Sequence, residues 1–309
     1  MKNIKKLLSV VLILVMVLTA APLGGFVGLE WGITARAIEA SGKIGDNLTY
    51  TFDETTGEVV ISGTGPMMDF AKDSPVSYSN EIKSIIIEEG VTSIGAYAFT
   101  DCTELASLTL ADSIETIGDS AFYGSALVNV TLPENLYSIG NGAFSNCRSL
   151  SDVTIGDKIT IIEPGAFGGC NNLTDFTIPD SVVSIGDSAF SGCASLTSIT
   201  IPDSVKNIGK YAFSDCSSLK EVVIGNGVTY ILSFAFYRCT SLNNITIPNS
   251  VTTIDYCAFG ECNNIKNVYY EGTTIEWGEI SIYGDNDCLL NAEIKTQGTG
   301  IGSYGDYTY

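Results

Sequence analysis

The sequence predicts an α/β solenoid in which coils of 23 residues stack and place about nine parallel strands on one face. Two observations support this prediction. An Ala-Phe pair recurs at a nearly constant interval, and a short pattern of alternating apolar residues follows each pair. Such alternation is typical of a strand that buries one face, so each coil is expected to contribute one strand to a common sheet.

The phenylalanine of each Ala-Phe pair marks the period. Consecutive phenylalanines are 23 residues apart, except that the step from Phe122 to Phe144 is 22 residues. A cysteine stands three residues after the phenylalanine, except at Ser125. We expect these side chains to form a continuous core, whose members are Phe99, Phe122, Phe144, Phe167, Phe190, Phe213, Phe236, Phe259, Cys102, Cys147, Cys170, Cys193, Cys216, Cys239 and Cys262.

The strand pattern opens with a leucine, as at Leu196, which is followed by Ile199 and Ile201 on one face. The same pattern also precedes the first Ala-Phe pair, at Ile85 and Ile87, which makes nine strands. A single coil buries too little apolar surface to offset the entropy lost on ordering it. Stability must therefore come from contacts between neighbouring coils.

The two ends of such a stack expose apolar core and sheet edge, which need covering. We expect an N-terminal cap over residues 41–81, in which residues 48–62 alternate as a β-hairpin with Gly57 at its turn. The repeats then span 82–268. A small C-terminal cap containing Trp277 is expected over 269–296, and the Gly- and Tyr-rich residues 297–309 are expected to form a flexible tail.

Residues 1–37 are predicted to be an export signal. Lys2, Lys5 and Lys6 form a basic start before the apolar run 7–18, which is short for a membrane span. Cleavage after residue 21 or after residue 37 is compatible with the small residues there, and the later position is favoured. The alternative is an uncleaved membrane anchor. After cleavage we expect no membrane insertion.

Charge and composition exclude several classes of function. The formal net charge of −20 would repel nucleic acid and anionic lipid. The absence of histidine removes the commonest general base and most catalytic zinc sites. No glycine-rich phosphate loop follows a strand and opens a helix. We therefore expect no enzymatic activity, no catalytic residue, no cofactor and no metal, although a hydrolase using paired carboxylates is a third hypothesis.

The nine cysteines of an exported protein raise the question of disulfides. Seven occupy one position of the repeat and would point the same way in a column. Buried free thiols are the favoured interpretation, and stacked disulfides or a metal site are the alternatives. Cys257 and Cys288 lie outside the column, and a bridge between the C-terminal cap and the last coil is an open alternative.

The strand face is the first candidate for a binding surface. Its outward residues are mostly threonines, which are explained either by β-propensity on a solvated sheet or by a polar platform edged by carboxylates. The candidate binding residues are Thr109, Thr131, Asp152, Thr154, Asp175, Thr177, Thr200, Glu221 and Thr246. Carboxylates also recur just after the strands, for example at Asp180 and Asp203, where turn formation is favoured over cation binding. Residues 285–287 resemble a fragment of a calcium loop and are interpreted as a turn.

Taken together, the repeated motif resembles the BspA-type leucine-rich repeat of bacterial cell-surface and secreted proteins. The resemblance rests on Leu-x-x-Ile-Thr-Ile-Pro-x-Ser-Val-x-x-Ile-Gly-x-x-Ala-Phe-x-x-Cys and covers residues 82–270. The segments before and after these repeats also resemble those of exported relatives. The chain departs from the motif at Glu163 and Pro164, at Leu232 and at Ser125, and we expect these departures to alter the local coil geometry.

The resemblance implies a secreted or surface-associated bacterial protein, adhesion in some relatives, and no catalytic residues. Our first hypothesis is a non-catalytic binding module whose strand face contacts an extracellular protein or glycan, as a monomer. The alternative is a structural cell-envelope component or spacer without a specific soluble ligand.

Overall fold

The computed structural model describes residues 38, 40–70, 74, 76 and 79–298. The predicted export signal, residues 1–37, and the tail from residue 299 onwards lie outside these residues. Within the described chain the predicted solenoid is confirmed: short parallel strands recur once per coil and stack along two separate ladders.

The first ladder contains the strands expected from the apolar alternation. Near its N-terminal end two strand pairs are antiparallel, namely Ser41–Lys43 with Leu48–Asp53 and Leu48–Asp53 with Glu58–Gly63. All later pairs in this ladder are parallel. Its strands are β1 (Ser41–Lys43), β2 (Leu48–Asp53), β3 (Glu58–Gly63), β5 (Ser84–Ile87), β7 (Ser107–Leu110), β9 (Asn129–Thr131), β11 (Asp152–Thr154), β14 (Ser198–Ile201), β16 (Glu221–Ile224), β18 (Asn244–Ile247), β20 (Asn267–Tyr270) and β22 (Glu293–Lys295).

The second ladder lies in the Val-x-x-Ile part of the repeat and was not predicted as strand. Its members are mostly two residues long, so the sequence signal of each is weak. They are β4 (Gly65–Pro66), β6 (Val91–Ile94), β8 (Thr116–Ile117), β10 (Ser138–Ile139), β12 (Ile161–Ile162), β13 (Ser184–Ile185), β15 (Asn207–Ile208), β17 (Tyr230–Ile231), β19 (Thr253–Ile254) and β21 (Ser281–Ile282).

Helix is confined to the C-terminal segment of the described chain. Helix α1 spans Thr274–Glu279, and Thr273 and Glu276 form a capping box at its start. Helix α2 spans Asp287–Leu290. The coils themselves are built from strands and turns. No helix among the described residues has the length and apolar character needed to cross a bilayer.

The phenylalanines form one continuous stack inside the rod. The eight rings, from Phe99 to Phe259, are almost fully buried, and successive centroids lie 5.2–5.7 Å apart with nearly parallel planes. The seven column cysteines are buried beside them as free thiols. Each ring therefore contacts the ring of the coil before it and of the coil after it, which couples the coils to one another.

The Ala-Phe turn joins the coils through a third row of backbone hydrogen bonds. Residues two before and two after each phenylalanine have positive φ, as at Tyr211 (57°) and Asp215 (60°). This conformation directs the phenylalanine N–H toward the next coil, where Phe144 donates to the Ala166 carbonyl at 2.9 Å. In this row the N–H groups point to the C-terminal end of the rod and the carbonyls to the N-terminal end.

Side chains complete this third row at both ends of the rod. At the N-terminal end the Ser74 hydroxyl donates to the Ala98 carbonyl at 2.7 Å. At the C-terminal end the Phe259 N–H donates to the Asn286 Oδ1 atom at 2.8 Å. Asn286 therefore acts as a structural cap, and residues 285–287, which were interpreted as a turn, lead into helix α2 at Asp287.

The first ladder is interrupted at two places. It breaks between β7 and β9, where the coil containing Ser125 is one residue short. It breaks again at residues 175–178, which were expected to form the fifth of the nine strands and form no ladder in the structure. The second ladder breaks between β10 and β12, in the coil containing Glu163 and Pro164, but it continues past Leu232.

The column thiols donate hydrogen bonds between coils. Cys170 Sγ donates to the Phe144 carbonyl at 3.2 Å, and Cys216 Sγ donates to the Phe190 carbonyl at 3.3 Å. The two cysteines outside the column contact other partners: Cys257 Sγ lies 3.6 Å from Asp285 Oδ2, and Cys288 Sγ lies 3.2 Å from Asn263 Oδ1. Both are free thiols in the structure.

Burial of the column thiols predicts a loss of stability at high pH. Burial raises the pKa of Cys216 from its ordinary 9.0 to about 12, and it raises the pKa of Cys193 in the same direction. Because the unfolded thiol ionises first, the free energy of unfolding is expected to be unaffected below pH 8 and to fall between pH 9 and 12, by up to about 1.4 kcal/mol per pH unit per thiol.

Urea unfolding at pH 8 and pH 10 measures this loss. The variant Cys193→Ser/Cys216→Ser is the control, because Ser125 shows that the column accepts a serine. The variant should lose less stability than the wild type between the two pH values. An equal loss in both proteins would contradict the assignment of the alkaline effect to these thiols.

Candidate binding surface on the strand face

The predicted threonines lie in one row along the outer face of the first ladder. In the parallel register Thr154 lies beside Thr131, and Thr246 and Thr200 each flank Val223. Thr177 continues the row in sequence but stands in the coil that forms no strand. Five of the six threonines are exposed, namely Thr109, Thr131, Thr154, Thr177 and Thr200, and Thr246 is half-buried.

The threonine hydroxyls of this row are available to a ligand. Among the described residues, none of the six side chains makes a hydrogen bond to another part of the protein, whereas Ser181 and Ser204, on the adjoining turns, donate to backbone carbonyls of the preceding coil. A regular row of free hydroxyls offers hydrogen-bond donors and acceptors to a ligand.

Carboxylates border the threonine row on the side where the strands begin. Asp152, Asp175 and Glu221 are exposed there. Asp152 lies beside Asn129 in the register, and Glu221 lies between Ser198 and Asn244. This border is acidic in the middle of the rod and changes to amides toward the C-terminal end.

The other border, where the strands end, also carries carboxylates, and some of these have a structural role. Asp203 Oδ1 accepts from the Asn226 N–H at 2.7 Å, and Glu89 Oε1 accepts from the Asp112 N–H at 3.0 Å. These bonds join adjacent coils rather than closing a turn within one coil. Asp180 makes no such bond within the described chain and presents its charge to solvent.

A groove of about 740 Å³ lies on this face in the middle of the rod. It extends over the coils that contain Thr177, Thr200 and Val223 and reaches Glu271 near the C-terminal cap. The candidate residues Asp175, Thr177 and Thr200 line it. The other six candidates lie outside it, so the structure brings three of the nine together in one concave site.

The C-terminal end of the strand face is closed by interactions between side chains. Lys295 Nζ donates to Asn267 Oδ1 at 2.7 Å, forms an ion pair with Glu293 at 3.5 Å, and lies 5.2 Å from the ring centre of Tyr269. Asn267 in turn donates to Asn244 Oδ1 at 2.7 Å. These groups are partnered, which distinguishes this end from the open groove.

A cluster of aromatic residues at the Ala-Phe turns was not predicted from the sequence. The rings of Tyr211 and Phe234 stack at 4.7 Å, and Phe234 also contacts Tyr237 at 5.4 Å and Tyr256 at 5.6 Å. Tyr211 is 41% exposed and Tyr256 is 47% exposed. A hydrogen bond to Asp285 raises the pKa of Tyr256 to about 12. The available signal was the repeat position two before the phenylalanine, where the four coils from Phe122 to Phe190 carry Gly or Ser, as at Gly165.

The described residues were also compared with the side-chain arrangement that a metal ion needs. No group of three or more Cys, Asp or Glu side chains among them is arranged to hold a metal ion. The carboxylates at the groove are exposed or half-buried, and the strongly raised thiol pKa values belong to side chains buried in the core. What this surface offers is hydrogen bonding and negative charge.

Comparison with known families identifies the repeat. A model described as the BspA type leucine rich repeat region, with 6 copies, matches residues 74–196 and 183–304. The two matches together span most of the chain. Comparison with curated proteins finds no relative.

Comparison with solved structures finds several similar proteins. One is a leucine rich cell surface protein of Faecalibacterium prausnitzii A2-165, with 22% identity over 79% of this chain and 98% of that one, and a TM-score of 0.39. Another is a T. pallidum leucine rich repeat protein, with 24% identity over 70% of this chain and 86% of that one, and a TM-score of 0.49. A third is the pneumococcal vaccine antigen PcpA, with 14% identity over 84% of this chain and the whole of that one, and a TM-score of 0.41.

Proposed function

This protein belongs to the BspA-type leucine-rich repeat family, and from that membership we propose that it is an exported, non-catalytic binding module that holds an extracellular protein or glycan on its strand face. The observation that carries the proposal is the row of exposed threonines with free hydroxyls, from Thr109 to Thr200, along the strand face. A repeat array presents such a surface at constant spacing, which suits recognition of an extended partner.

A location at the bacterial surface or in the medium is part of this proposal. It is supported by the family and by the basic start and apolar run of residues 2–18. The acidic character of the chain, with a formal net charge of −20, fits a protein that stays dispersed outside the cell.

Lysine substitution on the strand face tests the proposal. The variant Thr154→Lys/Thr177→Lys/Thr200→Lys places three long cationic side chains across the row. Retention of partners from host-matrix and bacterial-wall extracts on immobilised protein is expected to fall roughly tenfold, because these side chains obstruct the face and change its charge.

A matched control places the same charges away from the strand face. Thr103, Thr160 and Thr229 are exposed, and their side chains make no hydrogen bond within the described chain. The variant Thr103→Lys/Thr160→Lys/Thr229→Lys should retain partners like the wild type. Equal retention by both triple variants would contradict binding on the strand face. Association with the wall without any retained soluble partner would favour a structural component instead.

A further inference from the structure

At the groove on the strand face, the interior of the rod contains an unusual residue for its position in the repeat. At the first inward position of the strand, other coils carry Val153, Ile199 or Val222, whereas this coil carries Phe176. The Phe176 ring lies 5.1 Å from the ring of Phe167 and 4.7 Å from the ring of Phe190, tilted against both. This aromatic ring fills more of the space between the phenylalanine stack and the sheet than an aliphatic side chain would.

Residues 175–178, which include Phe176, make no ladder hydrogen bonds with the equivalent segments of the neighbouring coils, although β13 of the same coil pairs with β12 and β15. Strand β11 pairs with β9 alone, and β14 pairs with β16 alone, so residues 175–178 are left between two sheets of the described chain. The nearest remaining bond is from the Thr197 N–H to the Thr174 carbonyl at 3.1 Å, just before this segment. Residues 175–178 therefore lack the ladder bonds that the equivalent residues of other coils make.

The groove at this break is acidic on its rim and apolar on its floor. Its carboxylates are Asp175, Asp180, Asp203 and Glu271, and no Lys or Arg is among the residues that line it. The side chains of Asp175, Asp180 and Glu271 make no hydrogen bond or ion pair within the described chain. The floor is formed by Phe176, Ile178, Ile201, Pro202 and Ile224.

We propose that this groove binds an extended cationic segment of a partner polypeptide. The carboxylates pair with lysine or arginine head groups, and the apolar floor contacts the aliphatic stems of those side chains. Charge complementarity selects this occupant, because four carboxylates without a basic residue repel anionic glycans and acidic peptides.

This inference rests on the proposed function, since it places a partner of stated chemistry on the strand face. Phe176 opens the groove at the interrupted ladder, and the carboxylates on the rim select a cationic ligand.

Fluorescence anisotropy with synthetic peptides tests the inference. The probe is a labelled peptide of about eight alternating lysine and threonine residues, which is within the usual length of a strand. Its counterpart has glutamate in place of lysine, and an uncharged N-acetylglucosamine oligomer is the third probe. The lysine peptide should bind the full chain, with an affinity that falls as salt increases, and the other two should not.

Two charge variants separate the groove from the general acidity of the chain. Asp175→Asn/Asp180→Asn/Glu271→Gln removes the unpaired carboxylates and is expected to weaken peptide binding roughly tenfold. Glu104→Gln/Glu163→Gln/Glu279→Gln removes the same charge elsewhere and should change affinity less than about twofold. Equal weakening by both variants, no binding of the lysine peptide, or equal binding of the glutamate peptide or the sugar would overturn the inference.

The variant Phe176→Ile tests the origin of the groove. It replaces the aromatic residue by the aliphatic type found at Ile199, and we expect the ladder to close and peptide binding to fall roughly tenfold. Undiminished binding would overturn the assigned role of Phe176. If extract partners still depend on Thr154, Thr177 and Thr200 while the lysine peptide does not bind, the groove inference is wrong and the proposed function stands.

Discussion

Replacing Phe190 by alanine is expected to lower the free energy of unfolding by about 3–5 kcal/mol, which is the usual cost of emptying a fully buried phenylalanine site. Phe190 is fully buried and its ring contacts Phe167 at 5.6 Å, Phe213 at 5.2 Å and Phe176 at 4.7 Å. The neighbouring rings are held by their own coils and cannot collapse into the cavity. Urea unfolding followed by circular dichroism measures the change.

The matched control for Phe190→Ala is Tyr230→Ala. Tyr230 is 44% exposed, and its substitution is expected to change the free energy of unfolding by less than about 1 kcal/mol. Because stability in a repeat array depends on contacts between neighbours, loss of a central ring should also broaden the unfolding transition. A decrease of less than about 1 kcal/mol in the free energy of unfolding of Phe190→Ala would contradict a continuous aromatic stack that stabilises neighbouring coils together.

Substitution of Asn286 is expected to destabilise the C-terminal end of the rod by about 2–4 kcal/mol, because several buried backbone groups lose their partners. Asn286 is 1% exposed, accepts from the Phe259 N–H at 2.8 Å and donates to the carbonyls of Asp255 at 2.9 Å and Tyr283 at 2.8 Å. Both Asn286→Ala and Asn286→Asp should show the effect. The aspartate keeps the acceptor but removes the donor and adds a buried charge.

Thermal unfolding and hydrogen exchange of the last coil measure the effect at Asn286. Asn249→Ala is the control, because Asn249 is exposed and its side chain makes no hydrogen bond within the described chain. Exchange should accelerate at the Phe259 amide in both Asn286 variants and stay slow in the control. If the Phe259 amide is protected in Asn286→Ala as strongly as in the wild type, another group accepts its hydrogen bond.

Periodicity in the sequence was sufficient to predict the coil, the core and most of the first ladder. The phenylalanine spacing identifies the ring stack, because equal coil lengths bring equivalent side chains together. The departures at Ser125 and at Pro164 coincide with breaks in the first and second ladders, respectively, whereas the departure at Leu232 leaves its ladder intact. A change in repeat length, or a proline that lacks a backbone N–H donor, can be recognised in a sequence, so such breaks can be anticipated.

The groove and the second ladder depend on properties that periodicity does not report. In the sequence Phe176 is one of many apolar residues at an inward position. Its effect on the ladder depends on the volume of its side chain in a packed interior, which periodicity does not show. Strands such as β13 are two residues long and depend on the neighbouring coil for their bonds. The aromatic cluster around Phe234 depends on which repeat positions carry positive φ and face outward, as Tyr211 and Phe234 do.

Hydrogen exchange along the first ladder tests most directly the claim that the coil containing Phe176 opens the sheet on the strand face. Residues 175–178 and 198–201 occupy equivalent positions, but only the second segment is a paired strand in the described chain. The amides of 175–178 are expected to exchange at least about tenfold faster than those of 198–201 and to slow in Phe176→Ile. Equal protection of the two segments in the wild type would contradict an open ladder at this coil.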